Sequence, residues 1–228
     1  MSKLVWDAAG TRTFETGVSH GVLYPRAADG TYEKGVVWNG LTSVSESPEG
    51  AEANDLWADD MKYASFRSAE TFGATIEAYT YPDEWADCDG SATVVTGVYV
   101  GQQRRKPFGF SFRSCVGSDA NIDLSSDLGY KIHIIWGATA SPSERSYETI
   151  NDSPDAITFS WEITTVPMPV AGGYKPTSSM TIDTTRLTST ADRAKLQELE
   201  DLLYGTASTD PQLPTPDQVI AIFTGTSA

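Results

Sequence analysis

The chain is predicted to be a mainly β protein that ends in helices. Three observations predict this. Apolar and polar residues alternate over several stretches, most clearly at Ile157, Phe159, Trp161 and Ile163 against Thr158, Ser160, Glu162 and Thr164. Successive side chains of a strand point to opposite faces, so a period of two marks a half-buried strand. Turn chemistry rich in Gly, Pro, Asn and Asp separates these stretches. After residue 188 the alternation stops, and helical spacing with capping residues takes over. Residues 1–188 are therefore read as a β body and residues 189–228 as a helical appendage.

From the N-terminus, residues 1–32 read as a short apolar start followed by a loop at Ala27-Ala28-Asp29-Gly30. Strand signals begin at Gly35-Val36-Val37-Trp38, and Asn39-Gly40 is a hairpin-type turn. Leu41 to Ser47 continues as a strand that Pro48-Glu49-Gly50 ends. Asn54 to Arg67 reads as a hairpin turning at Asp59-Asp60, because acidic turn residues tolerate left-handed backbone and the flanks are aromatic. Phe72, Ala74, Ile76 and Ala78 share a strand face, and Pro82 to Asp87 fits one helical turn.

Val94 to Gln103 and Pro107 to Val116 read as two strands joined at a tip, Arg104-Arg105-Lys106, with Phe108, Phe110 and Phe112 on one face. Gly117 to Asp127 is a polar loop, and Tyr130, Ile132, Ile134 and Trp136 line the next strand. Ser141 to Asn151 is a connector with room for a helical turn, and Asp152-Ser153-Pro154 stops it. The strand from Ile157 ends at Val166-Pro167-Met168-Pro169, because proline cannot donate to a ladder. Ser178 to Thr184 is the last strand. Thr190 then caps a helix over Ala191–Tyr204, with Ala194, Leu199, Leu202 and Leu203 on one side and Gly205 as its stop. Thr215-Pro216-Asp217-Gln218 is a second capping pattern, opening a short helix through Phe223.

Composition bounds the function. The 228 residues are 39% hydrophobic and 11% aromatic, enough for a real core. The formal net charge of −15 repels DNA and anionic membranes rather than binding them. No apolar run is long enough to span a membrane, and the start, Met1 to Asp7, has no hydrophobic signal core, so the expected site of synthesis is a cytoplasm. Cys88 and Cys115 show no metal-ligand spacing and read as reduced thiols.

Candidate chemistry is sparse. Gly17-Val18-Ser19-His20-Gly21 matches the G-x-S-x-G elbow, but an elbow needs a helix after it, and Val22-Leu23-Tyr24-Pro25 is β-prone. His133 alternates with apolar neighbours and reads as a structural ring. The acidic run Asp83 to Gly90 does not supply carboxylates at the first and last positions of a calcium loop. Arg104-Arg105-Lys106, followed by phenylalanines, could contact phosphates. In an acidic chain a tip that pairs with acidic neighbours fits better. No P-loop, dinucleotide fingerprint or HExxH motif is present, so no catalytic residue, metal or cofactor is assigned.

The stretch Asn151 to Val170, NDSPDAITFSWEITTVPMPV, resembles the long strand of major tail tube proteins of long-tailed, non-contractile bacteriophages (siphophages). Further likenesses follow in one order along the chain. They are Gly21–Pro25, Trp38–Thr42 running into Glu46–Glu52, Ala74–Glu84, Gly101–Lys106, Gly129–His133 and Leu213–Asp217. The resemblance implies an antiparallel β-sandwich or barrel of the tail-tube type, with a flanking helix and a helical C-terminal segment. It implies a structural virion protein, not an enzyme, whose copies close into hexameric rings that stack into the hollow tube through which DNA is ejected.

The implied partners are further copies of the chain and the tape-measure, tail-terminator and tail-tip proteins. Double-stranded DNA would pass without sticking, and no membrane is involved. The implied location is the virion tail, assembled in the bacterial host cytoplasm. Within that scheme Asp59, Asp60, Arg104 and Arg105 are expected at contacts between subunits, and Glu46 and Glu77 in the lumen. The alternative is a β-sandwich module decorating a virion and binding a glycan or receptor.

Overall fold

The computed structural model describes residues 4–8, 10–50, 52–119, 128–147, 149–150 and 155–225. Strand makes up 44% and helix 15%, so the body is mainly β as predicted. Fourteen strands, one short α-helix, a single 3-10 turn at Thr184–Arg186 and two C-terminal helices are described.

The main sheet is built on three long strands: β1 (Thr13–Pro25), β11 (Phe108–Ser118) and β12 (Gly129–Ala140). β11 pairs antiparallel with β1 on one side and with β12 on the other. Outside β1 lies β2 (Val36–Trp38). Beyond β12 come β13 (Phe159–Thr165), β8 (Gly73–Ala78) and β3 (Leu41–Glu46). β2 and β3 thus terminate opposite ends of the sheet path, yet only Asn39-Gly40 joins them. A two-residue link cannot span a flat seven-strand sheet, so the sheet curls until its ends meet. Asn39-Gly40 is therefore a corner between distant strands, not the tip of a hairpin between paired neighbours. Gly40 has φ +77, and a Cβ there would lie 2.8 Å from Thr80 Cγ2.

The far edge of β12 is shared. Residues 131–135 pair with β14 (Ser179–Asp183), and residues 138–140 pair with β13. Gly137, at φ +61, marks the change of partner.

Two cores result. The inner one collects Leu23, Trp38, Ala74, Ile76, Phe108, Phe110, Phe112, Ile135, Trp161 and Ile163. It is closed by the short helix α1 (Trp85–Cys88), whose Trp85 packs 4.6 Å from Trp38. The outer core lies on the other side of β1, β11 and β12. There Val22, Tyr24, Ile132, Ile134 and Trp136 meet Leu199 and Leu203 of α2 (Thr190–Tyr204) and Val219 of α3 (Pro216–Thr224). The helices cap this face rather than hang from it: Tyr24 Oη donates to the Leu203 carbonyl at 2.6 Å, and Trp136 Nε1 to the Pro214 carbonyl at 2.8 Å.

Several expectations are corrected. Residues 13–25, read as part of a mixed start in which only Val22 to Pro25 is β-prone, form the long strand β1. Its register shifts between Thr16 and Ser19 and again between Ser19 and Val22, and these bulges break the alternation that marks a strand. Arg104-Arg105-Lys106 is not a hairpin tip. The preceding segment folds on itself as β9 (Ala92–Val95) and β10 (Val98–Val100), turning at Thr96-Gly97, while β11 pairs elsewhere. Ser189, not Thr190, caps α2: its hydroxyl accepts from the Asp192 N–H. The buried face of α2 is Leu199 and Leu203 with Leu196 beside them; Ala194 is exposed and Leu202 is 37% exposed. The strand around Trp161 begins at Phe159, leaving Ile157 exposed and outside it. The Asp152-Ser153-Pro154 turn and residues 120–127 of the polar loop lie outside the described residues.

Candidate functional site

The distinctive features of the described residues lie on the surface. At the Glu46 end of β3 the chain leaves the sheet as a two-stranded arm. A two-residue pair, β4 (Glu49–Gly50) with β7 (Glu70–Thr71), leads into β5 (Ala53–Ala58) and β6 (Met61–Arg67), and the chain then re-enters at β8. The turn is Asp59-Asp60, as the sequence predicts, with φ +51 and +60. Among the described residues β5 and β6 pack chiefly on each other. Leu56, Trp57, Met61, Tyr63 and Phe66 of this arm are all exposed, Trp57 at 69% and Tyr63 at 73%. One face is held by Asp55, which accepts from Lys62 Nζ at 2.8 Å and Ser65 Oγ at 2.6 Å.

At the opposite end, beyond Ala78 and α1, stands the β9–β10 hairpin. It exposes Val94, Val95, Val98, Tyr99 and Val100, a second apolar surface. From it the chain folds back along α1, where Gln103 N–H donates to the Gly90 carbonyl and Lys106 N–H to the Asp87 carbonyl. This return path carries Arg104, which is exposed, and Arg105, which is half-buried. Together with Arg26 and Lys106 they line an open cleft of about 700 Å³. Two of the four expected contact residues, Asp59 and Asp60, thus lie at one end of the sheet, and Arg104 and Arg105 at the other.

Glu77 and Glu46 part company. Glu77 lies on the outer face of the β3–β8–β13 sheet, opposite Ile76, and accepts from Ser43 Oγ at 2.8 Å. The same face carries Ser45, Thr75, Ser160, Glu162 and Thr164, with no Lys or Arg. Glu162, a residue the sequence reading did not select, stands beside Glu77 there, and the alternation around Trp161 was the signal for it. Glu46 pairs with Ala74 and so sits on the inner side of the sheet, at its rim.

That rim holds a polar cluster. Ser114 Oγ lies 2.9 Å from His133 Nε2, and His133 Nδ1 lies 3.7 Å from Glu46 Oε1 and 3.4 Å from Thr181 Oγ1. Lys131 pairs with Glu15 beside them. The order serine, histidine, carboxylate resembles a hydrolytic triad. Ser114, however, sits inside β11, whose residues pair with β1 on one side and β12 on the other. Their N–H groups serve the sheet and do not converge on an oxyanion position. The His133 ring stacks on Phe112 at 4.5 Å and 6°. Burial holds its pKa below the usual 6.5, against the pull of Glu46 and Glu15. Ser19, of the G-x-S-x-G match, lies between two bulges of β1 with no helix following, so it is no nucleophile elbow.

The remaining candidates are structural. Asp89, of the acidic run, is paired with Arg145. Cys88 is buried, its thiol pushed up to about 12 by desolvation, and neither cysteine is in a disulfide. Among the described residues no group of three or more His, Cys, Asp or Glu could hold a metal ion. Among them, too, no helix is long and apolar enough to cross a membrane. Neither the known family models nor the curated proteins compared with the chain match it.

Proposed function

We propose that the chain is a structural, non-enzymatic protein that assembles with copies of itself, on the tail-tube plan: rings of six that stack into a hollow tube for passage of DNA. The arm carries this reading. A two-stranded ribbon is marginal in water by itself, and one that exposes Trp57, Tyr63, Phe66, Leu56 and Met61 has its apolar surface unspent. A second apolar hairpin at the other end of the sheet makes the molecule two-ended, the form a heterologous, repeating contact needs.

The outer face of β3, β8 and β13 supports the tube in particular. It bears hydroxyls and the carboxylates of Glu77 and Glu162 without a cation. Such a face neutralises no phosphate and gives DNA no hold. Glu77 with Glu162 is the lumen assignment this favours; Glu46, on the rim, is not part of it. The finer tail-tube fold type, the virion-tail location, and the tape-measure, tail-terminator and tail-tip partners belong to the same proposal.

The test is negative-stain electron microscopy of the purified protein over a concentration series, with its mass by light scattering. Rings or hollow tubes of uniform width are expected. A protein that stays monomeric when the tail-tip and tape-measure partners are supplied overturns the reading. A second reading draws on the same aromatics: Trp57, Tyr63 and Phe66 are the kind of exposed rings a glycan- or receptor-binding module uses. That module would bind a glycan array as a monomer.

A further inference from the structure

Among the described residues, the basic groups of the cleft at the β9–β10 end outnumber the carboxylates that line it. Arg26, Arg104, Arg105 and Lys106 line it, against Asp29 and Asp87. Asp29 is turned to its own loop, accepting from both the N–H and the hydroxyl of Thr31. Lys106 is engaged with Glu33 at 2.7 Å, and Arg26 Nε donates to the Gly30 carbonyl at 2.8 Å. Among the described residues neither Arg104 nor Arg105 meets a carboxylate within 4.0 Å. Two guanidinium groups that line one cleft with no carboxylate within salt-bridge distance among the described residues, in a chain of net charge −15, are a directed feature rather than a share of a mixed surface.

The matching anion is on the same molecule but out of its reach. The arm tip presents Asp59 and Asp60 together, both exposed, on a tight left-handed turn. The arm leaves the sheet where β3 ends and β8 begins. The cleft lies past the other end of β8, so one chain cannot close the contact on itself. We propose that the cleft of one copy receives the Asp59-Asp60 tip of the next. The inference rests on the self-assembly reading above and names the partner of that surface.

Three features fit together in this docking. The charges are complementary, carboxylate to guanidinium, a pairing that allows two parallel hydrogen bonds. The cleft, at about 700 Å³, is of the size that takes a small ligand or the side chains of a turn. Ala92 of β9 lines it, so the apolar hairpin begins at its edge. Seating the tip therefore carries Trp57 and Met61, next to the tip, toward Val94, Val95 and Val98 of the receiving copy. The contact is head-to-tail and leaves a free tip at one end of the assembly and a free cleft at the other, so it propagates.

The test exchanges the charges. Asp59→Lys with Asp60→Lys makes a basic tip; Arg104→Glu with Arg105→Glu makes an acidic cleft. Each protein alone is expected to need roughly tenfold or more the wild-type concentration to associate. Mixed one to one, they are expected to associate again near the wild-type concentration, since basic tips then meet acidic clefts and acidic tips meet basic ones. Arg104→Glu alone, at an exposed position, covers the case that Arg105→Glu disturbs folding. Asp59→Asn with Asp60→Asn keeps the turn and removes the charge, and it should weaken association in the same direction.

If the wild type associates and both reversed proteins associate equally well, the docking is overturned while self-assembly stands. Loss in each reversed protein without recovery on mixing overturns it too. So does a result in which wild type binds duplex DNA through Arg104 and association ignores the substitutions. A wild type that never associates removes both the docking and the reading beneath it.

Discussion

Arg113 is held between two tyrosine rings, its guanidinium carbon 4.4 Å from the Tyr130 centroid and 4.6 Å from that of Tyr204. It donates to Glu200 Oε1 at 2.6 Å and to Tyr204 Oη at 3.0 Å, and Tyr130 Oη donates to the same Glu200 oxygen at 2.6 Å. The site is three-quarters or more hidden from water, and burial with the neighbouring carboxylate pushes the Tyr130 hydroxyl up to about 12. Removing one member of such a pair leaves the other charge buried and unmatched. Arg113→Met or Glu200→Leu is expected to cost about 3 kcal/mol, and the double replacement less than the sum. Thermal melts of the three variants check this; additive losses would show that the pair does not act as a unit.

His133 sets a pH dependence. Its pKa is depressed in the folded state by burial, so as pH falls below about 6.5 the unfolded chain takes up a proton before the folded one. Stability contributed by the neutral ring is therefore present above pH 6.5 and lost on acidification. His20 is shifted in the same direction, by burial and by Arg113. His133→Phe keeps the stack on Phe112, and it should flatten part of the decline in urea midpoint between pH 7.5 and 5.5. An unchanged slope would assign the effect elsewhere.

At the scale of elements, β12 does more than its alternation tells. Its face of Ile132, Ile134 and Trp136 was legible, and it packs under the helices. The opposite face was not left to solvent: Ile135 and Ala138 enter the inner core, because β12 lies between two layers. Gly137 lets the strand change partners. A Cβ there would stand 2.3 Å from the Val166 carbonyl oxygen, at φ +61. Gly137→Ala is expected to destabilise by about 3 kcal/mol, from strain and clash together. A melt within a degree of wild type would mean the β13–β14 split tolerates rearrangement. The β5–β6 hairpin was readable because its turn is local chemistry. The β9–β10 hairpin was equally local, with Thr96-Gly97 between valines, but the longer Val94–Val116 hairpin reading hid it. β1 was missed for the opposite reason: bulges serve the curl of the sheet, and nothing in a window of ten residues shows the curl.

At the scale of the molecule, the arm and the body are separable. Neither core contains a residue of the arm between Pro48 and Thr71. Replacing that segment with a short turn between Ser47 and Phe72, whose neighbours already bond as Ser47 N–H to the Gly73 carbonyl at 2.8 Å, should leave the body folded. Its melting temperature should move by only a few degrees, while assembly is lost. Retained assembly would shift the interface to the polar sheet face or the helices.

What the sequence determined by itself was local and periodic. It set the strand faces of Phe108 to Phe112 and of Tyr130 to Trp136, the Asp59-Asp60 turn, the capping box at Thr215 and Gln218, and the acidic charge. These follow from side-chain periodicity and backbone preference over a few residues. Only the tertiary structure decided that Asn39-Gly40 closes the sheet, that Glu46 faces inward while Glu77 and Glu162 share an outer face, and that Arg113 finds Glu200. It also decided that the acidic tip and the basic cleft stand at opposite ends. The Arg113–Glu200 contact joins residues 87 positions apart, and no local preference encodes such relations. They arise when apolar faces of several strands must be buried at once, because that shared burial fixes which strands are neighbours.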